Sequence, residues 1–423
     1  MKKITITLLG LVIGTASFAQ RTLIYCGTLI DGATDTPRTQ VTVSVEKNKI
    51  VGIESGYTRQ NSGDVVIDLK NKTVLPGLMD MHVHLSQEIR RGRDVDRFLL
   101  NPADVALQAA YYAKITLMAG FTTVRDAGGE NVIALRNAVN RGILPGPRIY
   151  AAGRAIATTG GHADPTNSYR RDLMGDPGPM DGVINGADEA RKAVRQRYKE
   201  GSDVIKITAT GGVLSLAKDG KGPQFTDEEA RAICETARDY GLQVMAHAHG
   251  AEGMKRAIRA GVSSIEHGTY MDDEAIELFK QKGTYLVPTI IAGKSTADSA
   301  QIMGYFSAIV RPKALTTGLV IQATFGKAYK AGVKIAFGTD AGVFAHGKNA
   351  KEFEYMTEAG MPAMKAIQSA TASAAQLLGV LNEVGTIEKG KMADIIAVDE
   401  NPLQNIKSLQ NVTFVMKDGI VYK

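Results

Sequence analysis

The chain has 423 residues, 44% of them apolar and 22% charged, an ordinary globular composition long enough for one large domain plus a small one. Its formal net charge is +6, two fewer without Lys2 and Lys3. The basic residues are scattered and no nucleic-acid motif accompanies them, so the charge reads as solvated surface and a nucleic-acid partner is excluded.

The first twenty residues read as a leader. Lys2 and Lys3 precede an apolar run from Ile4 to Ile13, and Ala16-Ser17-Phe18-Ala19 places a small residue at both positions that a signal peptidase reads. Cleavage after Ala19 is expected, giving residues 1–19 as a signal peptide and a product secreted across the inner membrane into the periplasm. The run is too short for a spanning helix, which needs about 20 apolar residues. No cysteine follows the cleavage site for lipid attachment, and no later segment is apolar for long enough to span a bilayer. The mature chain is therefore expected to be soluble and free of the membrane.

From Arg21 to Val74 the texture is β. "RTLIYCGTLIDG", "VTVSVEKNKIVGIE" and "VVIDLKNKTVLPG" alternate apolar and polar residues and are punctuated by Gly, Asp and Asn. "ADIIAVDENP" and "NVTFVMKDGIVYK" return to it near the C-terminus, which predicts one small β-sandwich from residues 20–75 and 385–423, since domain termini often lie close together. Between them, residues 76–384 alternate short apolar runs with amphipathic stretches such as "DEEARAICETARDYG" and "AEGMKRAIRAG", with Gly241 and Gly261 as C-caps. Eight strand candidates with intervening helices predict an α/β architecture, a parallel (β/α)8 TIM barrel. The alternative, a doubly wound open sheet, lacks a Gly-rich phosphate loop after its first strand. Cys26 and Cys234 are too few for a disulfide framework and sit in apolar segments, which predicts two buried thiols.

Seven histidines carry most of the chemical signal. His82 and His84 lie two apart in "DMHVHL", so on a strand both imidazoles face one side and can share a metal ion. His247 ends the fifth strand candidate, His267 the sixth and Asp340 the eighth. Polar groups at the C-terminal ends of barrel strands are where catalytic groups converge. Lys206 interrupts the apolar run "DVIKITAT", where a buried ammonium is costly unless paired. Burial depresses a lysine pKa and leaves a neutral amine. Such an amine can take up carbon dioxide as a carbamate, an anionic ligand able to bridge two ions; a snorkelling or ion-paired lysine is the alternative.

On this reading His82, His84 and Asp340 hold one divalent ion and His247 and His267 the other, with carbamylated Lys206 between. Zinc suits these ligands, as do manganese, cobalt or iron. Paired ions roughly 3.5–4 Å apart lower the pKa of a shared water, and Asp340 is placed to take its proton and return it to a leaving group.

The ordered set "HVH", "VIKI", "HAHG", "IEHG" and "GTDAG", with "GTLIDG" at the start and "GTIEKGKMADIIAVDENPL" near the end, resembles the amidohydrolase superfamily, specifically its binuclear, lysine-carboxylate branch. The likeness covers essentially the whole mature chain and is greatest to secreted Xaa-Pro dipeptidase-like, imidazolonepropionase-related members. It implies that His162, in "TTGGHADP", meets the terminal carboxylate of the substrate. His249, in "HAHG", stands where several peptidase relatives carry tyrosine for that carboxylate, a departure that leaves the substrate open. Arg125 and Asp126, in "TTVRDAGG", also match the family pattern and are expected to form a strand-end ion pair supporting the site. The function expected is hydrolysis of the amide bond of a dipeptide or N-acyl amino acid, with a small-molecule substrate bearing a free carboxylate as partner; homo-oligomer formation stays open. Lactone, phosphotriester or cyclic-amide hydrolysis would use the same ligands. A periplasmic metal- or ligand-binding protein without turnover is the non-enzymatic alternative.

Overall fold

The computed structural model describes residues 20–216 and 220–423; the leader expected over residues 1–19 lies outside the described residues. Four strands open the chain: β1 (Arg21–Leu29), β2 (Arg38–Glu46), β3 (Lys49–Ser55) and β4 (Val65–Pro76). Their alternation buries one face, with Ile24 opposite Val43 and Cys26 opposite Val41 in a shared core.

Ten strands follow in the middle of the chain. They are β5 (Leu78–Val83), β6 (Phe121–Asp126), β7 (Arg148–Ala151), a short pair β8 (Ala157–Thr158) and β9 (Val183–Ile184), then β10 (Val204–Thr208), β11 (Gln243–Gly250), β12 (Ser264–Tyr270), β13 (Tyr285–Val287) and β14 (Lys334–Ile335). Each of the eight apolar runs read as a strand candidate carries one. β5–β6–β7 form one parallel sheet, and β10 to β14 form another in chain order. Hydrogen bonds join the two sheets at both edges. On one side His84 N–H donates to Ala341 O and Asp340 N–H to His82 O, each at 2.7 Å. On the other, Asp203 N–H donates to Ala151 O and Ile156 N–H to Lys206 O, each at 2.8 Å. Such strands are near-continuously apolar because helices cover them; β5, β6 and β10 have every residue buried.

The chain closes with β15 (Ile395–Val398), β16 (Val412–Lys417) and β17 (Ile420–Val421), which join the first four strands in a single sheet ordered β17-β16-β15-β4-β1-β2-β3. The junction is antiparallel, β15 against β4, with Ile395 opposite Pro76.

Local signals place the helices. Asp227–Asp239 starts on a capping box in which Thr226 Oγ1 accepts from Glu229 N–H and the Glu229 carboxylate accepts from Thr226 N–H. It stops at Tyr240, followed by Gly241 at φ +69°. Ala251–Ala260 ends on Gly261 at φ +103°, a left-handed cap that only glycine adopts without strain. Below the site, Phe121, Phe337 and Phe353 stack at centroid separations of 5.7 and 4.3 Å and fill the interior. Cys26 and Cys234 are free, buried thiols, pushed up to about 12 by that burial. Among the described residues no helix is long and apolar enough to cross a membrane.

Candidate metal centre

Six of the seven histidines, with Lys206 and Asp340, line one cavity of about 640 Å³. His82 is the penultimate residue of β5 and His84 follows the strand; Lys206 sits within β10, His247 and His249 within β11, and His267 within β12. Asp340 follows the strand begun by β14. The remaining histidine, His346, stacks on Tyr112 at 4.6 Å and takes no part in this cluster.

The ligand-type atoms fall into two groups, each compact enough for one ion: His82, His84 and Asp340, and His247, His249 and His267. Asp340 Oδ1 lies 3.4 Å from His82 Nε2 and 3.2 Å from His84 Nε2. The rings of His82 and His267 are 5.1 Å apart, so the groups adjoin. His249 therefore stands as near to His247 and His267 as a third ligand would, a position that sequence reading did not assign to it. His162 stacks on His247 at 4.3 Å.

Contacts behind the rings orient them. His82 Nδ1–H donates to Glu266 Oε2 at 2.8 Å, His84 Nδ1–H to Gly128 O at 3.3 Å, and His247 Nε2–H to Gly211 O at 3.2 Å. A proton held on that nitrogen leaves the opposite one as a lone pair, the arrangement that metal-binding histidines require. His267 Nδ1 and Thr289 Oγ1 share a hydrogen bond of 2.7 Å, and His249 Nδ1 and Thr269 Oγ1 one of 2.8 Å. Burial holds His247 and His267 well below the ordinary imidazole value, and His82 and His249 at about 4, so the rings are neutral. His84 goes the other way: burial opposes its charge, but the Asp340 carboxylate beside it wins and raises it.

Glu266 is the buried anchor. Burial would push its carboxyl up, yet Arg125 and then His82 outweigh that and hold it at about 2. Arg125 Nη2 donates to Glu266 Oε1 at 2.9 Å and Arg125 Nε to Met81 O at 2.8 Å. This corrects the expected Arg125–Asp126 ion pair. Neighbours on a strand point to opposite faces, so Arg125 reaches across to β12 while Asp126 accepts instead from Leu85 N–H (2.7 Å) and Gly128 N–H (3.0 Å). Glu266 was legible only as a carboxylate inside the apolar stretch "SIEHG".

Three residues of the site are strained. His267 (φ +73°), Thr289 (φ +52°) and Asp340 (φ +62°) all adopt left-handed backbone, at roughly 1–3 kcal/mol each for non-glycine residues. Burial pushes Asp340 up, but His82 and His84 more than offset it and keep the carboxylate low; its Oδ1 is buried without a hydrogen bond. Burial also lowers Lys206 to about 8, and among the described residues no ion pair neutralises its ammonium. An orphaned carboxylate oxygen facing two imidazole lone pairs, beside a second group of neutral imidazoles, fits divalent metal ions and leaves those atoms unsatisfied otherwise.

Known proteins share this frame. Over 96% of this chain and 100% of the other, the structure superposes on a Xaa-Pro dipeptidase with bound methionine in its active site, at a TM-score of 0.94 and 54% identity. A prolidase complexed with N-methylphosphonate-L-proline matches over the same shares at 0.87 and 29%. In sequence the chain is 32% identical over 434 residues to the ochratoxinase of Aspergillus niger, covering 98% of this chain and 89% of that one. Residues 73–421 match the amidohydrolase family as a whole. The chain is a hydrolase belonging to the amidohydrolase family.

Proposed function

We propose that this protein hydrolyses the amide bond of a dipeptide or N-acyl amino acid with a free carboxylate, using two divalent ions, zinc in first place. The observation carrying this is the pair of adjoining ligand groups that share one cavity with a buried lysine. When bound, the metal supplies Lewis acidity towards the carbonyl and lowers the pKa of water. His82, His84 and Asp340 serve one ion, His247 and His267 the other. Lys206, with its lowered pKa, would take up carbon dioxide with release of a proton, and the carbamate so formed would supply a further anionic ligand. Asp340 takes the proton of the attacking water and delivers it to the departing nitrogen. His162 and His249, facing the same cavity, hold the substrate carboxylate. The methionine bound in the active site of the dipeptidase relative supports a ligand with a free carboxylate.

The same reading extends to architecture and location. The edge hydrogen bonds between the two parallel sheets support closure of residues 76–384 into a (β/α)8 barrel, with residues 20–75 and 385–423 as the small β domain. The leader pattern supports secretion to the periplasm.

Turnover of Xaa-Pro, Xaa-Arg and N-acyl amino acid panels by the metal-reconstituted protein tests the proposal. Cleavage of at least one carboxylate-bearing amide is expected. Failure on all of them together with hydrolysis of lactones would overturn it.

A further inference from the structure

The cavity has two unlike sides. Glu130, Arg154 and Asp181 line one, and Arg154 forms ion pairs with both acids. The other is mainly apolar, lined by Val213, Leu214, Tyr305, Phe306, Val310 and Ile321 with uncharged hydroxyl residues between them.

The position of this apolar wall relative to the histidines decides what it can hold. The His162 ring lies flat on Gly212, so close that a Cβ at Gly212 would sit 2.1 Å from its Cε1. The next two residues, Val213 and Leu214, already belong to the wall. Lys313 pins the segment by donating to Gly212 O at 3.0 Å and Ser215 O at 2.7 Å. It stands on the helix Val310–Lys330, which also supplies Val310 and Ile321. Val213, Leu214 and Phe306 pack in one cluster with Ala300 and Ala314, and Tyr305 meets Phe306 edge-on at 4.9 Å. At Gly293 a Cβ would come within 2.9 Å of Ile321 Cγ2, so the absence of a side chain there lets Ile321 pack closely against its neighbouring helix.

We infer that this wall is the specificity pocket for the side chain of the residue released with the free carboxylate, and that it selects large neutral apolar side chains. The inference rests on the reading that His162 and His249 hold that carboxylate. Carboxylate and side chain leave the same α-carbon, and a wall one residue from the His162 contact is where that side chain falls. A charged side chain would be desolvated there, since none of the six lining residues carries a charge. A missing methylene in an apolar pocket costs about 10–200-fold in kcat/KM.

The test compares N-acetyl-leucine, -methionine and -phenylalanine with N-acetyl-glycine, -aspartate and -arginine. The apolar set should be cleaved with kcat/KM at least about 100-fold higher. Phe306→Ser and Leu214→Ser, at half-buried positions, should each reduce that ratio about tenfold or more. Equal cleavage of the arginine or glycine substrates, or variants that slow every substrate alike, would overturn it. Calorimetric titration with free amino acids separates this from the hydrolytic reading. Leucine should bind at least about tenfold tighter than glycine even if no amide is cut, and equal affinity would sink the pocket assignment.

Discussion

The Glu266 carboxylate has two tasks that a single substitution confounds and a pair of substitutions separates. It accepts from His82 Nδ1–H at 2.8 Å and from Arg125 Nη2 at 2.9 Å, and Glu266 and Arg125 are entirely buried. In Glu266→Gln one amide oxygen cannot serve both donors, and the amide nitrogen meets a donor face to face. The stranded Arg125 charge should cost about 3–5 kcal/mol of folding stability. Loss of the carboxylate behind His82 should weaken metal binding about 10–100-fold, or roughly 1.4–2.8 kcal/mol. Adding Arg125→Met removes the uncompensated charge and should restore part of the stability, yet it leaves His82 without its partner, so metal affinity should stay low. Urea denaturation of metal-free protein reads the first quantity, and zinc competition against a chromophoric chelator reads the second. Recovery of affinity together with stability in the double variant would show that Glu266 acts only by holding the fold. Affinity within about threefold of wild type in Glu266→Gln would refute the orienting role altogether.

Lys206→Ala should lose one equivalent of metal and regain part of its activity with short carboxylic acids; two full equivalents without added acid, by elemental analysis, would rule out a bridging carbamate. Asp340→Asn should retain metal in large part while kcat falls about 10²–10⁴-fold, and unchanged kcat would remove it from the proton path. Gly212→Ala should displace the His162 ring that lies on it, raising KM with metal stoichiometry unchanged, and an unaltered KM would argue that His162 does not meet substrate. Burial raises Glu352 from 4.5 to about 8, so the folded chain keeps a proton that the unfolded chain releases. Its contribution is complete below about pH 4.5 and is lost as pH climbs towards 8; wild-type stability should therefore decline over that interval relative to Glu352→Gln, and parallel pH curves would contradict this.

What could be read from the sequence followed from periodicity and burial cost. His82 and His84 share a face because strand side chains alternate, and Lys206 stood out because an ammonium inside "VIKI" needs a reason. The contacts that orient the rings could not be read the same way. Glu266 meets His82 across 184 positions, and Thr289 meets His267 across 22. Gly128 and Gly211 contribute carbonyl oxygens, which no residue type announces. Arg125 and Asp126 misled for the opposite reason: adjacency in sequence suggested a pair that strand geometry forbids. Nor does the sequence around His249 announce that its ring stacks on His267, at 4.9 Å.

The left-handed residues in and after successive strands connect these points. Thr289 is β-branched and would not hold φ +52° unaided, but it is tied from both sides. Its N–H donates to Gly338 O at 3.1 Å, and the next two, Ile290 and Ile291, donate to the buried Glu352 carboxyl at 2.8 and 2.7 Å. Thr289 Oγ1 can then meet His267 Nδ1 only with the ring turned towards the cavity. Asp340 is tied likewise, its N–H donating to His82 O at 2.7 Å, so this carboxylate and the first histidine of the pair move as one unit. The strain at Thr289 is thus offset by hydrogen bonds lying outside the ligand set and that at Asp340 by a backbone bond to a fellow ligand, and together they fix ligand directions before any ion arrives. A centre built this way loses little side-chain entropy on loading, which is why residues that never touch metal or substrate, Glu266 and Glu352 first among them, should govern metal affinity as strongly as a ligand exchange does.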